Sequence, residues 1–546
     1  MTTIQEHPLE ALKRESRCFR GALAEELQLP ETGFSKDSEQ LLKPHGLYQQ
    51  RDRDLRGQNP PHTFLLRGRI PGGRLTASAY LAWDALADRY GDGTLRLTTR
   101  QSIELHGVLK GDLKATIAGL ARALQTTQGA CGDVVRNVTQ APNPWGRADL
   151  AALDGVAQAL SDHFKARSNA YAELWLDGEK VDLGRETEPF YGEVYLPRKF
   201  KIGVTAVGEN LIDLYTNDLA FAATFEGANL TGYHVFAGGG MGMTHGKPET
   251  YPRLADHLGW VPAEALMPVA EAVVGSHRDL GHRGDRKQAR LKYVVARLGS
   301  EAYRAEVERR AGLAFELRPL PDWQTTPVLG WLPRVDGTWA YGLHAPAGRC
   351  QGALKAALRV AVATYGLSVQ ISPDQDLILL GIASEDREAV QSMLSEAGAQ
   401  EADPLSRRAL ACVALPLCSL AITEAERVLP EVLANLRQAL ERHGRLDRAP
   451  VFRITGCANG CARPYAAELA LVGQGAGVYV LYAGGSPEGT RLAQPVSAKV
   501  RLGDLPELFE GLVAAWASAA LPDECFGDWA DRLGPAELQA RLSSSP

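Results

Sequence analysis

The feature of this 546-residue chain that most constrains its fold is a pattern that occurs twice at nearly one spacing. A strand-like run, Phe64-Leu65-Leu66-Arg67-Gly68-Arg69-Ile70, enters a Pro71-Gly72-Gly73 turn. Residues 77–90 then carry apolar side chains three and four apart, the period of a helix with one buried face. Two alternating stretches (95–99 and 102–106) and a second helical stretch (113–124) complete a β-α-β-β-α order. Near residue 340 the order returns, with Pro346-Ala347-Gly348 in the place of the first turn, a helix over 354–365, strands over 367–371 and 377–381, and a helix over 386–397. Gly73 and Gly348 are 275 residues apart, Gly107 and Gly381 274 apart. Matching turns at one offset imply an internal duplication. The rival account, that unrelated β-α-β units merely look alike, stays open on the sequence alone.

The length calls for two or three domains. The proline-rich stretch 317–333, with Pro319, Pro321, Pro327 and Pro333, reads as the linker between halves. A net charge of −6 provides no basic field for nucleic acid. The first fourteen residues are polar and lack the apolar core of a secretory signal. No apolar run reaches the roughly 20 residues of a membrane span; the 512–521 run contains Trp516 and Ser518 and reads as a buried helix. The expectation is a cytoplasmic protein without membrane or nucleic-acid partners, in which eight cysteines are not a disulfide framework. Cys18, Cys131, Cys350 and Cys525 stand singly, as small buried hydrophobes do.

The other four fall within fifty residues: Cys412-x5-Cys418 and Cys457-x3-Cys461. Four thiolates can hold a 4Fe–4S cubane, one per iron. Neither spacing is the C-x2-C typical of zinc. Gly456, Asn459 and Gly460 make the second pair a tight loop whose amides can face sulfide, and Val413, Ala414, Leu415 and Leu417 surround the first with apolar wall.

This constellation, with Thr455-Gly456-Cys457-x-Asn459-Gly460-Cys461, resembles the signature of siroheme-dependent sulfite and nitrite reductases. Further matching stretches are residues 45–50, 96–101, 195–201 and 238–240, so the resemblance runs from about residue 12 to 529. It implies six-electron reduction of sulfite to sulfide in assimilatory sulfur metabolism, on a siroheme joined through Cys461 to the cluster. Arg67, Arg136, Lys199 and Lys201 are then the residues that hold the anion and supply protons, a lysine being the better proton donor because arginine stays charged. Lys199 and Lys201, two apart on a strand, would share a face. For the eight siroheme carboxylates the candidates are Arg96, Arg100, Arg286, Lys287 and Arg290, with His106, Gly238, Gly239, Gly240 and Asn459 near the macrocycle.

Three departures stand out. Glu104 occupies a place where glutamine is more familiar, Pro373-Asp374-Gln375-Asp376 replaces an asparagine-rich turn, and Thr139-Gln140-Ala141 lacks a cysteine that some relatives make available for a tyrosine crosslink, so no crosslink is expected. The implied fold is α+β: an arm or partner-docking segment (1–60), ferredoxin-like units at 61–130 and 334–400, and two larger α/β cofactor-binding domains at 131–316 and 401–546, the halves related by pseudo-two-fold symmetry. Electrons would come from another protein, either an NADPH-linked flavoprotein with FAD and FMN or a ferredoxin. Competing readings are a nitrite reductase of the same fold, a non-catalytic metal-stabilised binding module, and a precorrin-modifying enzyme. Lys201 favours sulfite over nitrite, since the nitrite enzymes usually carry asparagine there.

Overall fold

The computed structural model describes residues 6–167, 175–177, 179–181 and 188–543. Four five-stranded sheets form two matched pairs. The first sheet orders Leu47–Gln50, Thr63–Arg67, Ile103–Val108 and Leu95–Leu97; its mate orders Gly330–Pro333, Trp339–Leu343, Leu377–Ile382 and Ser368–Ile371. Each fifth strand comes from the other half. Arg349–Cys350 pairs with Leu95–Leu97, and Arg74–Leu75 pairs with Ser368–Ile371.

The duplicated turns make this exchange possible. Gly72 and Ala347 both adopt left-handed backbone (φ 60 and 51). The next residue is glycine each time because a Cβ on Gly73 would stand 2.5 Å from the Ile371 carbonyl, and one on Gly348 2.3 Å from that of Leu97. The helices Ala77–Tyr90 and Gly352–Tyr365 cover the pair, and buried Asp84 receives Lys355 at 3.0 Å together with Arg359. Trp83 and Leu105 thus share one core with Leu358 and Leu379, and the two ferredoxin-like units fold as a single body.

The larger sheets repeat one another strand for strand. Thr139–Gln140, Ile202–Ala206 and Leu219–Glu226 run parallel, followed by antiparallel Asn229–Ala237 and Asp256–Pro262. In the second half Leu410–Ala411, Phe452–Thr455 and Leu469–Gly475 run parallel, followed by antiparallel Val478–Ala483 and Gln494–Arg501. Each sheet is backed by helices and has its own core.

Two boundaries move. The first unit begins inside the segment expected to be an arm, because Leu47–Gln50 pairs with Thr63–Arg67; its single aliphatic residue and two glutamines hid a strand in charged surroundings. The expected linker ends in the edge strand Gly330–Pro333, where a proline costs no ladder bond. The 512–521 run lies largely in the helix Leu505–Ala519, with Trp516 buried. Among the described residues no helix is long and apolar enough to cross a membrane.

Candidate active site

The four cysteines stand at the ends of parallel strands. Cys412 follows Leu410–Ala411, and Cys457 and Cys461 lie in the loop after Phe452–Thr455. Cys418 closes a turn through its amide to the Ala414 carbonyl at 2.9 Å. From the opposite half Arg53 donates to the Cys418 and Ala421 carbonyls at 2.6 and 2.7 Å. Gly456 has no room for a side chain, since a Cβ would lie 2.5 Å from the Thr423 carbonyl; its amide donates to Cys412 Sγ at 3.3 Å, and Asn459 Nδ2 reaches Cys457 Sγ at 3.5 Å.

Burial and then the nearby Cys461 push the Cys457 thiol up to about 11, and the same two causes raise Cys412 and Cys418. The thiols therefore share one electrostatic neighbourhood, and bound iron would reverse the shift by stabilising thiolates. Among the described residues no three His, Cys, Asp or Glu side chains are placed to hold a single metal ion. A cubane needs a wider frame, with one thiolate at each of four irons.

Cations gather beside Cys461. Lys199 and Lys201 flank buried Phe200, which bridges Val135; regular strand begins only at Ile202, yet the alternation holds through this extended lead-in. The Arg136 amide donates to the Phe200 carbonyl at 2.9 Å, which sets Arg136 alongside. Burial, and then the charges of Arg136, Arg198 and Arg290, bring Lys199 down to about 7. Burial, with Lys199, Arg100 and Arg290 behind it, takes Lys201 well below its ordinary value. Cys461 acts on both lysines in the opposite sense.

Among the described residues Lys199, Lys201 and Arg136 have no carboxylate partner, and Arg136 Nε is buried without an acceptor. Like charges held together without partners are costly unless an anion joins them. Arg67 differs from the other three: its Nε donates to Glu104 Oε1 at 2.7 Å. The four residues expected at the anion thus comprise three cations without a carboxylate partner and one with Glu104.

The residues expected at the macrocycle divide. Gly238, Gly239 and Gly240 form a loop with bare backbone: a Cβ on Gly239 would lie 2.1 Å from the Tyr215 carbonyl, and one on Gly240 2.7 Å from the Arg290 guanidinium. Met243 N donates to the Ala458 carbonyl at 3.0 Å, so this loop meets the Asn459 loop across the two halves. Arg96 reaches the Ala347 and Ala411 carbonyls and lies 3.2 Å from Glu426. Arg100 binds Asn217 Oδ1 at 2.6 Å and the Ile202 carbonyl at 2.9 Å. Arg286 pairs with Asp133 at 2.8 Å and Arg290 with Asp218 at 2.7 Å, whereas Lys287 is exposed. His106 Nδ1 lies 3.2 Å from Gln50 Oε1, and its Nε2 is buried without a hydrogen bond, 3.4 Å from Glu104.

Three site residues escaped the sequence. Lys292 holds the glycine loop through the Gly240 and Gly242 carbonyls at 3.2 and 2.7 Å. Tyr48 lies under the Arg67 guanidinium, 5.6 Å from its centroid, and receives Arg136 at 3.4 Å. Cys131, taken as a plain hydrophobe, accepts from Arg67 at 3.1 Å and is a hydrogen-bonding neighbour of Tyr48. The spacing Cys131-x4-Arg136 was the available signal.

Family models match the chain as a nitrite and sulphite reductase 4Fe–4S domain over residues 155–315, and as a nitrite/sulfite reductase ferredoxin-like half domain over residues 56–123 and 333–397. A sulfite reductase (NADPH) hemoprotein beta-component of Myxococcus xanthus is 42% identical, the match covering 96% of each chain. The chain belongs to the nitrite and sulfite reductase family. A sulfite reductase (ferredoxin) of Synechococcus elongatus is 41% identical over 96% of this chain and 89% of its own. In fold the chain is similar to the NirA protein of Mycobacterium tuberculosis, with a TM-score of 0.80 and 21% identity, covering 97% of this chain and 96% of that one. This reductase fold has the expected α+β architecture with duplicated ferredoxin-like halves.

Proposed function

We infer that this chain reduces sulfite to sulfide, consuming six electrons and seven protons to release hydrosulfide and three waters. The observation that carries the reading is three cations without a carboxylate partner among the described residues, Lys199 and Lys201 beside Cys461 and Arg136 alongside them, in a chain 42% identical to a sulfite reductase hemoprotein. Cys412, Cys418, Cys457 and Cys461 would hold the 4Fe–4S cluster, and Cys461 would join it to the siroheme; the glycine loop and the Asn459 loop would face the macrocycle. When bound, this cofactor pair supplies the iron on which the anion sits and the path for electrons.

The chain's own residues do the rest. Arg67, Arg136, Lys199 and Lys201 orient the anion's oxygens through charge-assisted hydrogen bonds. Lys199, with a pKa brought to about 7, can give up its Nζ proton near neutrality as an oxygen leaves as water. The apolar Phe200 and Val135 behind these side chains keep water away and strengthen each contact. A doubly charged substrate favours the ammonium form of Lys201 more strongly than a singly charged one does, which places sulfite ahead of nitrite.

Electrons enter from a separate carrier, and we place its docking face over the Cys418 loop. Leu55, Leu420 and Ile422 are exposed there beside the exposed guanidinium groups of Arg51 and Arg56, the exposed Asp54 is offset by Arg427, and Arg53 ties the two segments together. An apolar centre with a cationic rim fits an acidic carrier, of the ferredoxin or the flavoprotein kind that the relatives' names specify. A cytoplasmic setting suits a centre whose thiols must stay reduced.

An absorption spectrum with iron and acid-labile sulfide assays tests the reading. Isobacteriochlorin bands and one more iron than sulfide per chain are expected; a colourless protein after reconstitution would overturn it. Lys201→Asn is expected to shift the sulfite-to-nitrite preference toward nitrite by about tenfold, the worth of one charge-assisted contact of about 1.4 kcal/mol. An unchanged ratio of kcat/KM values removes Lys201 from the substrate.

A further inference from the structure

Glu104 is a carboxylate inside a site built to attract anions. Its side chain is 3% exposed and projects from the strand Ile103–Val108, which pairs with the strand bearing Arg67. Arg67 grips it with two nitrogens, Nε at 2.7 Å and one terminal amine closer still. His106 Nε2 stands 3.4 Å from its second oxygen. Burial works against ionisation, but Arg67, His106 and Arg96 outweigh it and hold the carboxyl well below the usual range. The group is therefore a fixed negative charge.

Its position has two consequences. A guanidinium has five N–H donors in a rigid fork. Glu104 takes those along one edge and Cys131 Sγ accepts from the other terminal nitrogen, so the orientation of Arg67 is set before any ligand arrives. The same carboxylate offsets one of the four cationic charges present once a bound anion favours the ammonium forms of Lys199 and Lys201. Arg136, Lys199 and Lys201 have no such counter-charge among the described residues.

We propose that Glu104 is a specificity-determining and positioning residue. Its buried carboxylate clamps Arg67 and removes one unit of positive field, so the site discriminates less steeply between doubly and singly charged oxyanions than four free cations would. The electrostatic part of binding scales with ligand charge, so cancelling one cation weakens sulfite about twice as much, in free energy, as nitrite. The proposal rests on the sulfite-reducing reading and concerns the affinity of that same site.

The test is a spectroscopic titration of the oxidised holoprotein with sulfite and with nitrite, at a pH where sulfite carries two charges. Glu104→Gln keeps the shape and one acceptor for Arg67 but removes the charge. It is expected to tighten nitrite by about threefold and sulfite by about tenfold. Glu104→Asp keeps the charge but shortens the reach, and is expected to loosen both anions severalfold. A Glu104→Gln protein with wild-type affinities, or one that loosens both anions, overturns the proposal. Should that variant fail to fold, Glu104→Asp decides alone: unchanged affinities overturn the clamp. If neither anion perturbs the wild-type spectrum, the functional reading falls first.

Discussion

The two larger domains are one frame used for opposite ends. Ile202 pairs with Leu219 and Phe452 with Leu469, so this part of the frame repeats with an offset of 250 residues. Asp213 and Arg463, 250 apart, both take left-handed backbone before a short helical turn. The Lys201 amide donates to Asp218 at 2.9 Å, and the Val451 amide to Glu468 at 2.9 Å. Against this shared backbone the side chains trade places. Cys457 and Cys461 correspond to Val207 and Leu211, while Lys199 and Lys201 correspond to Ala449 and Val451. Cys412 N binds the Ile454 carbonyl where Ala141 N binds that of Val204, so Cys412 corresponds to Ala141. In the first domain Ala141, Val207 and Leu211 line a cavity of about 850 Å³, with Glu209 and Asp322 also on its wall. On the proposed reading, one copy holds the iron and the other the anion.

The largest expected effect comes from exchanging residues between the copies. Cys457→Val with Cys461→Leu installs the first domain's residues in the second. Cluster iron, acid-labile sulfide and sulfite reduction are expected to fall to background, because two of the four proposed ligands are gone. Val207→Cys with Leu211→Cys in the first domain is expected to leave iron content and activity near wild type, since Ala141 offers no third thiolate. Iron gained by that second protein would break the comparison as drawn.

Next in size is the axis itself. Asp213 is buried and takes Arg453 and Arg463 at 2.6 Å each, and Arg463 also reaches Asp374 at 3.0 Å. Burial opposes its charge, but Arg453 and Arg463 more than compensate and hold the carboxyl below its ordinary value. Asp213→Asn leaves two buried guanidinium groups short of a counter-charge, at a cost of about 3–5 kcal/mol. Denaturant unfolding should show an earlier midpoint, and the bond of Asn210 to the Glu488 carbonyl across the halves should become susceptible with it. A wild-type midpoint would mean that the exchanged strands and the other contacts between the halves hold them without this ion-pair cluster.

What was legible in the sequence follows the same division. The ferredoxin-like units showed their duplication because the turn at Gly73 and Gly348 demands glycine against a neighbouring backbone, which leaves a mark at a fixed offset. The larger domains hid theirs. Their frame is kept by backbone pairing that many apolar residues satisfy, and the informative positions are those where the copies diverged. Chain lengths between landmarks also differ, since the offset is 271 from Thr139 to Leu410 but 250 from Ile202 to Phe452. The cysteines were readable as residue types at their spacing, and the cation set only through the family resemblance. The carboxylates that already hold Arg286 and Arg290 (Asp133 and Asp218) were not, because each is brought to its arginine only by the fold.

The smallest expected effect tests whether equivalent residues after the duplicated turn have kept equivalent jobs. Arg74 and Arg349 are 275 apart, and each begins an exchanged strand. Arg74 is 42% exposed, and among the described residues its side chain is hydrogen-bonded to Asp154 alone. Arg349 is 15% exposed; it grips both oxygens of Glu426 at 2.7 and 3.1 Å and reaches Thr94 at 2.8 Å. Glu426 also lies 3.2 Å from Arg96, so Arg349 stabilises a network that ends at the cluster domain. Arg74→Ala should cost at most about 1 kcal/mol, as exposed pairs do. Arg349→Ala should cost about 2 kcal/mol, because a largely buried carboxylate loses a bidentate partner. Thermal unfolding of both variants measures the difference. Equal losses would mean that the exchanged strands depend on their backbone pairing alone, and that the asymmetry between the halves begins only where the larger domains do.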